Sequence, residues 1–387
     1  RAFALLGIFI SHVPDFSGFA FMSAAEQAAL DRFGANAFLD AALQFFIDGK
    51  FFSLFSLLFG IGFAVQIESA MRAERNFARH FTRRLGILFA IGIAHALIWY
   101  GDILKDYALI GFLLLLTARW SPASTAVAAA AVLLLRALWP LAIWILLAQS
   151  APLEANANPQ DDFVSLTQSF AGTNPIAMFS ANPDLLRLKA LQMIYDGKAL
   201  SILAMFLVGA YIGKRRLYRD LAARGQLLRN IFAICAPIGI VGNALLIPIG
   251  ADIPAYPPSA MWVVQHMLSA VAAPAMTLAY ASGFALLWMS RCGILLRALS
   301  PAGRMALTTY VSQTLVGVVA FYGIGYGLHG TFGLAECTAF ALVVFALQCV
   351  VSAVWLTVFR FGPLEWFWRR ATYGTPLPML KRLSALA

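Results

Sequence analysis

The chain has 387 residues, of which 61% are hydrophobic and 12% charged, and a net charge of +10. Its mean hydropathy is +0.78. A soluble domain carries roughly 25% charged residues, so this composition excludes a soluble globular protein. It also moves the basic balance from a nucleic-acid footprint to a matter of membrane topology.

Apolar runs of about 20 residues recur along the chain, the length that spans roughly 30 Å of hydrocarbon. The fold class read from them is all-α, a polytopic membrane helical bundle of about ten transmembrane helices. The spans fall at about 2–20, 45–67, 81–100, 103–118, 122–148, 191–213, 228–249, 260–289, 304–325 and 334–359, with ends good to a few residues. Residues 3–13 read as the remaining part of a first span, not a cleavable signal, since no clear small-residue cleavage site follows. His12 lies in this span, and the loop after it carries Asp15, Glu26, Asp31 and Arg32.

Span two opens on Asp48-Gly49-Lys50, with Ser53 five residues after the Asp and Gly60 and Gly62 further on. It runs into Arg72, Arg75, Arg79, Arg83 and Arg84. Span three carries His95, span four opens at Gly101-Asp102 with Lys105 and Asp106 close behind, Arg119 follows it, and span five holds Arg136. Residues 149–190 are too long for a short loop and read as a lid-like extracytoplasmic segment. They hold Glu154, Asp161, Asp162, Asp184, Arg187 and Lys189. Three Asn-Pro pairs at 158–159, 174–175 and 182–183 favour turns there over long helices. Phe163, Phe170, Ile176, Met178 and Phe179 argue for partial packing over a cavity mouth.

Span six repeats the head of span two: Asp196-Gly197-Lys198, then Ser201, Gly209 and Gly213. A basic loop follows with Lys214, Arg215, Arg216, Arg219, Arg224 and Arg229. Asp252 lies in the next loop; Arg291, Arg297 and Arg304 in the one after; and Arg360, Arg369, Arg370, Lys381 and Arg382 in the tail. Lys and Arg therefore alternate with acids from loop to loop, which predicts that both termini are cytoplasmic. Arg119-Trp120-Ser121-Pro122 and Arg297-Ala298-Leu299-Ser300-Pro301 extend the repetition, so spans two to five correspond to spans six to nine as a parallel repeat, or else share Gly and Ser by chance. Residues 1–360 form the transmembrane unit, and 361–387 a cytoplasmic amphipathic helix and tail around Glu365-Trp366-Phe367-Trp368-Arg369-Arg370.

Orientation gives each buried polar residue a height. His95 is twelve residues past Arg83, about 18 Å at the helical rise, and His12 is about 16 Å from Arg1. His12, Asp48, Lys50, His95, Asp102, Asp196 and Lys198 thus fall at one outer level, where they would face a shared cavity. The competing readings are plain: snorkelling interfacial charges at the two triplets, packed histidines at 12 and 95, and a structural ion pair at Arg136. Arg136 needs a partner or an anionic ligand, and His266 and Tyr322 near other outer ends are further candidates. Cys235, Cys292, Cys337 and Cys349 form no framework, no Cys/His spacing fits zinc, and no metal is expected.

The chain resembles the YeiB-like membrane proteins, the domain-of-unknown-function family 418, over nearly its whole length. The resemblance rests on Arg1 with Ala4-Leu5-Leu6-Gly7-Ile8, on Phe55-Ser56-Leu57-Leu58-Phe59-Gly60-Ile61-Gly62-Phe63, and on His95 with Gly101-Asp102-Ile103-Leu104. It continues in Gly303-Arg304-Met305-Ala306-Leu307-Thr308 and ends in Gly362-Pro363-Leu364-Glu365-Trp366, the two most specific segments. The family usually has Arg-Gly at Arg1-Ala2 and commonly Asn at His12. An Arg followed by His at that interval is similar to the acyltransferase-3-like membrane enzymes. That likeness implies transfer of an acyl group from a cytoplasmic donor, an acyl-CoA, to an extracytoplasmic small-molecule or lipid-linked acceptor, in a bacterial-type inner membrane.

Acyl transfer to a hydroxyl needs a base, for which imidazole is suited near neutral pH. His12 or His95 is the candidate base, Asp102 the acid that orients it, and Lys50 or Lys198 the cation for developing negative charge. Asp48, Asp196 and Arg136 complete the candidate ligand contacts. Arg84, Arg215 and Arg304 are candidates for the donor's phosphates, although topology alone accounts for them. A secondary transporter or lipid-binding protein is the alternative, since carriers also place charged residues in a central cavity between repeats. Membrane lipids are the expected surroundings, and oligomeric state is not legible.

Overall fold

The computed structural model describes residues 1–74, 76–148, 159–250 and 258–381. Arg75, Glu154, Asn158, Asp252 and Arg382 lie outside the described residues, as do the side chains of Asp161, Asp162 and Phe163.

Every regular element described is helical. In chain order they are α1 (Ala2–Ser17), α2 (Ala24–Ala29), α3 (Asn36–Phe46), α4 (Lys50–Arg72), α5 (Phe77–Ile98), α6 (Leu104–Leu116), α7 (Pro122–Ala148), α8 (Pro159–Gln168) and α9 (Pro175–Tyr195). They continue as α10 (Lys198–Lys214), α11 (Gly225–Gly250), α12 (Ala260–Met289), α13 (Gly293–Ala298), α14 (Ser300–Arg304), α15 (Ala306–Phe321), α16 (Leu334–Val358) and α17 (Pro363–Tyr373). Each apolar segment read from the sequence contains one of these helices, but length separates them. Among the described residues six helical stretches are long and apolar enough to cross a membrane, and seven if the bent pair α9–α10 counts as one span. α1 and α15 have 16 residues each and α6 has 13, about 24 and 20 Å of helix, short of the hydrocarbon thickness. The protein is thus an all-helical, multi-pass membrane protein.

The short α1 sits at the centre. Ala4, Leu5, Phe9 and Val13 of α1 are fully enclosed, packed by α4, α15 and α16. The long helices α7, α11, α12 and α16 lie outside, and α7 turns Leu134, Leu135, Leu138 and Leu146 outward. Large exposed apolar area of this extent suits lipid, not water.

α4 and α10 cross backbone to backbone. A Cβ added to Gly60 would overlap the Phe206 carbonyl, and one added to Gly209 would overlap the Leu57 carbonyl, so the contact is reciprocal. Small residues that admit backbone to backbone are the main device for packing helices in lipid, where the hydrophobic effect between helices is absent. Phe59 stacks on Phe206 beside it with centroids 4.5 Å apart.

The segment before α10 corrects an expectation. Asn182-Pro183 does not break the chain into turns but lies inside the 21-residue α9. Pro175 occupies the first turn, where its missing N–H costs nothing, and the Asn174 side chain accepts from the Ile176 and Ala177 N–H groups. Asn182 is buried and donates to the Leu97 carbonyl (2.9 Å), one of the carbonyls that the end of α5 leaves open. Phe170 and Met178 are buried, whereas Ile176 and Phe179 are exposed. Phe170 is sandwiched between Tyr100 and Tyr322, 5.9 and 4.5 Å away with near-parallel rings.

At the opposite face, the two most specific sequence segments meet. Glu365 of α17 accepts from the N–H groups of Leu307 (2.6 Å) and Thr308 (3.0 Å) and from the Thr308 hydroxyl (2.6 Å). It caps the start of α15 and fixes that helix's height, a structural role for both segments. The Arg84 guanidinium lies 3.5 Å over the Trp368 ring and pins α17 to α5.

Candidate functional site

Both Asp-Gly-Lys triplets end a helix and start the next. Gly49 (φ 79°) and Gly197 (φ 65°) take left-handed backbone immediately before α4 and α10, a conformation that glycine adopts without steric cost. The two helix starts border a cavity of about 930 Å³ that opens on that face. α1 contributes His12 and Asp15, α3 Asp40, and the first triplet Asp48; the α5–α6 turn contributes Tyr100, Asp102, Lys105 and Asp106. α9 and α10 add Lys189, Asp196 and Lys198. Seven aspartates against three lysines, counting Asp31 at the rim, leave the described lining acidic.

The α5–α6 turn is tight. Trp99 leaves α5 in extended conformation, and Gly101 lies against the Trp99 ring where a side chain has no room. The chain therefore reverses within a few residues and brings Asp102 back onto His95. Asp102 Oδ1 and His95 Nδ1 are 2.7 Å apart, each residue 3% exposed. Asp102 Oδ2 accepts from the Lys105 backbone N–H (2.9 Å), and His95 Nε2 lies 2.8 Å from the Thr314 hydroxyl of α15. Since the carboxylate only accepts, a neutral imidazole here carries its proton at Nδ1 and takes the Thr314 hydroxyl's hydrogen bond at Nε2. Tyr310 covers the His95 ring at 5.2 Å and accepts from the Ile103 N–H at 3.3 Å.

His12 is placed differently. Its ring meets the Trp99 edge at 4.6 Å, and Trp99 in turn stacks on Phe16 at 4.3 Å. No hydrogen bond holds its ring among the described residues, and it faces the cavity. Lys198 lies over Phe52 at 4.9 Å and within electrostatic reach of Asp15, Asp106, Asp196 and Lys189. Asp196 lies 3.7 Å from His266 Nε2.

The structure thus gathers His12, Asp48, Asp102, Asp196 and Lys198 at one cavity, with His95 one hydrogen bond behind Asp102. Two candidates are elsewhere. Lys50 is 2% exposed and its ammonium is spent on the Gln44 carbonyl at the end of α3. Arg136 is buried between α7, α10 and α12, donating to Ser201 (3.0 Å), the His266 carbonyl (3.4 Å) and Ser269 (3.5 Å), and does not line the cavity. Two hydroxyls and a carbonyl surround the guanidinium, and Asp196 lies within electrostatic reach. In the sequence Asp15 and Lys189 stand as loop charges, and nothing marks Asp40. The sole signal for Thr314 was the polar run Thr308-Thr309 and Ser312-Gln313-Thr314 in an apolar helix.

The family described as Protein of unknown function (DUF418) matches residues 212–375, which include Thr314 but none of the charged residues that line the cavity. Full-length relatives cover the rest. The "Uncharacterized protein YxaH" of Bacillus subtilis (strain 168) is 30% identical over 405 residues, spanning 99% of this chain and 94% of its own length. The "Uncharacterized protein YeiB" of Escherichia coli (strain K12) is 29% identical over 407 residues, spanning 99% and 97%. No solved structure matches. With such similarity running from end to end, the chain belongs to the DUF418 family.

Proposed function

We propose that the protein is a membrane acyltransferase that takes an acyl group from a cytoplasmic acyl-CoA and delivers it to a hydroxyl-bearing acceptor, small or lipid-linked, in the cavity. The orientation that follows from the basic loops puts the cavity on the outer side of a bacterial inner membrane with both termini inside. Ten crossings then require the short α1, α6, α10 and α15 to span, with the bilayer thinned locally or their ends surrounded by protein. The reciprocal crossing of α4 and α10 supports a parallel duplication of those two helices.

One observation carries the reading: His12 faces a cavity of ligand size with its ring unbonded, beside the ammonium of Lys198. Neutral imidazole there accepts the acceptor's proton as oxygen attacks the acyl carbon, and Lys198 offsets the negative charge that develops on the carbonyl oxygen. The test is thiol release from acetyl-CoA and palmitoyl-CoA by protein in nanodiscs, with a panel of polyol and glycolipid acceptors. Acceptor-dependent release that is lost in His12→Ala supports the reading; full activity in that variant overturns it.

A secondary transporter is favoured by a separate observation. Two helices begin at the cavity after breaks, and such half-helix ends bind substrates in carriers. Gradient-driven uptake into proteoliposomes without acyl donor would select it.

A further inference from the structure

We propose that Thr314 is a nucleophile that carries the acyl group covalently between donor and acceptor. The proposal rests on the acyl-transfer reading above and adds a residue and an intermediate to it. Thr314 Oγ1, His95 and Asp102 form a continuous chain of 2.8 and 2.7 Å, in which a hydroxyl meets an imidazole whose other nitrogen is held by a carboxylate. This is the arrangement that activates a hydroxyl for acyl chemistry whatever the fold.

The hydroxyl's direction is informative. Ser and Thr inside helices ordinarily bond back to their own backbone. Ser53, Ser56, Thr277, Ser282 and Thr338 do so here. Thr314 instead points across to α5. It lies eight residues into α15, about 12 Å from the end capped by Glu365 and so between the two faces. A polar seam leads toward it from that end. Gln348 of α16 donates to the Thr309 carbonyl (3.2 Å) and to Ser312 (2.8 Å) and accepts from Gln313 (3.1 Å). The Gln313 side-chain oxygen is buried with no hydrogen-bond partner among the described residues. A buried acceptor of this kind is costly unless something donates to it. The amide-bearing arm of a CoA thioester carries such donors.

In the first step Thr314 Oγ attacks the thioester carbon, the C–S bond breaks, and the hydroxyl proton passes through His95 Nε2 to the departing sulfur. In the second, the acceptor oxygen attacks the same carbon and the bond to Thr314 breaks. The acceptor's proton passes by way of His12 to His95 Nε2, free while Thr314 is acylated, and from there to Thr314 Oγ, so each group returns to its starting state. No proton or electron is gained or lost overall.

The test mixes radiolabelled acetyl-CoA with the protein in nanodiscs without any acceptor. Expected is a burst of one thiol per protein, with one acetyl group retained and mapped to Thr314 by peptide mass spectrometry. Thr314→Ser keeps the burst and the adduct, and Thr314→Val loses both. Acceptor-dependent turnover with no adduct on the wild type, or with Thr314→Val turning over at the wild-type rate, overturns the proposal while leaving the acyl-transfer reading intact. No thiol release under any condition removes both.

Discussion

The two Asp-Gly-Lys triplets share a backbone and differ in what their lysines do. In the first, α3 and α4 run on as one 37-residue stretch, and Lys50 folds back to serve the carbonyl of Gln44, left open by the end of α3. In the second, α9 and α10 meet at 66°, and the Ile194 carbonyl already accepts from the Gly197 N–H at 3.1 Å and the Trp139 indole at 2.7 Å. Lys198 is therefore free to face the cavity. The serines diverge likewise: Ser53 bonds the Gly49 carbonyl (2.6 Å), while Ser201 receives Arg136. A repeated sequence specifies the turn, and the neighbours assign the side chains.

The comparison can be broken most directly at the lysines. Lys198→Met should lower acyl transfer about 10²-fold, the cost of one donor to an oxyanion, with unfolding temperature unchanged; a variant at full rate would show that the free ammonium plays no part. The glycines come next. Gly197→Ala combines positive φ with a Cβ 2.8 Å from Trp139, whereas at Gly49 the nearest atom is 3.6 Å away. The first should cost about 3 kcal/mol and the second about 1 kcal/mol in denaturant unfolding, and equal losses would refute the asymmetry. Lys50→Met leaves the Gln44 carbonyl without its partner and should cost about 1.5 kcal/mol, with transfer per folded molecule retained. The smallest effect belongs to Trp139→Phe, about 1 kcal/mol, together with a partial loss of transfer as Lys198 turns toward Ile194. Unchanged transfer in that variant would mean that Trp139 does not keep the lysine free.

The helices were legible because apolar length marks them, and so was the closeness of His95 to Asp102, seven residues apart across a turn too short to separate them. That His12 shares a level with the two triplets followed from helical rise, and it lines the same cavity. The choice between Lys50 and Lys198 was not legible, since it depends on which carbonyl each finds and on an indole from α7. Arg136 looked like a lone charge because its partners are hydroxyls and a carbonyl far away in sequence. α9 was hidden by Pro183, which a helix tolerates once Asn182 is anchored to the end of α5. Thr314 resembled any packing hydroxyl until its direction could be seen.

The glycine crossing has a mechanical consequence. Two helices locked backbone to backbone at Gly60 and Gly209 move as one strut, so the spacing between Asp48 and Asp196 is set by rigid material. Any breathing of the cavity must then come from α3 and α9, swinging like shutters on the two glycine hinges above that strut. Spin labels on α4 and α10 should report one narrow distance whatever is bound, while labels on α3 and α9 report a spread.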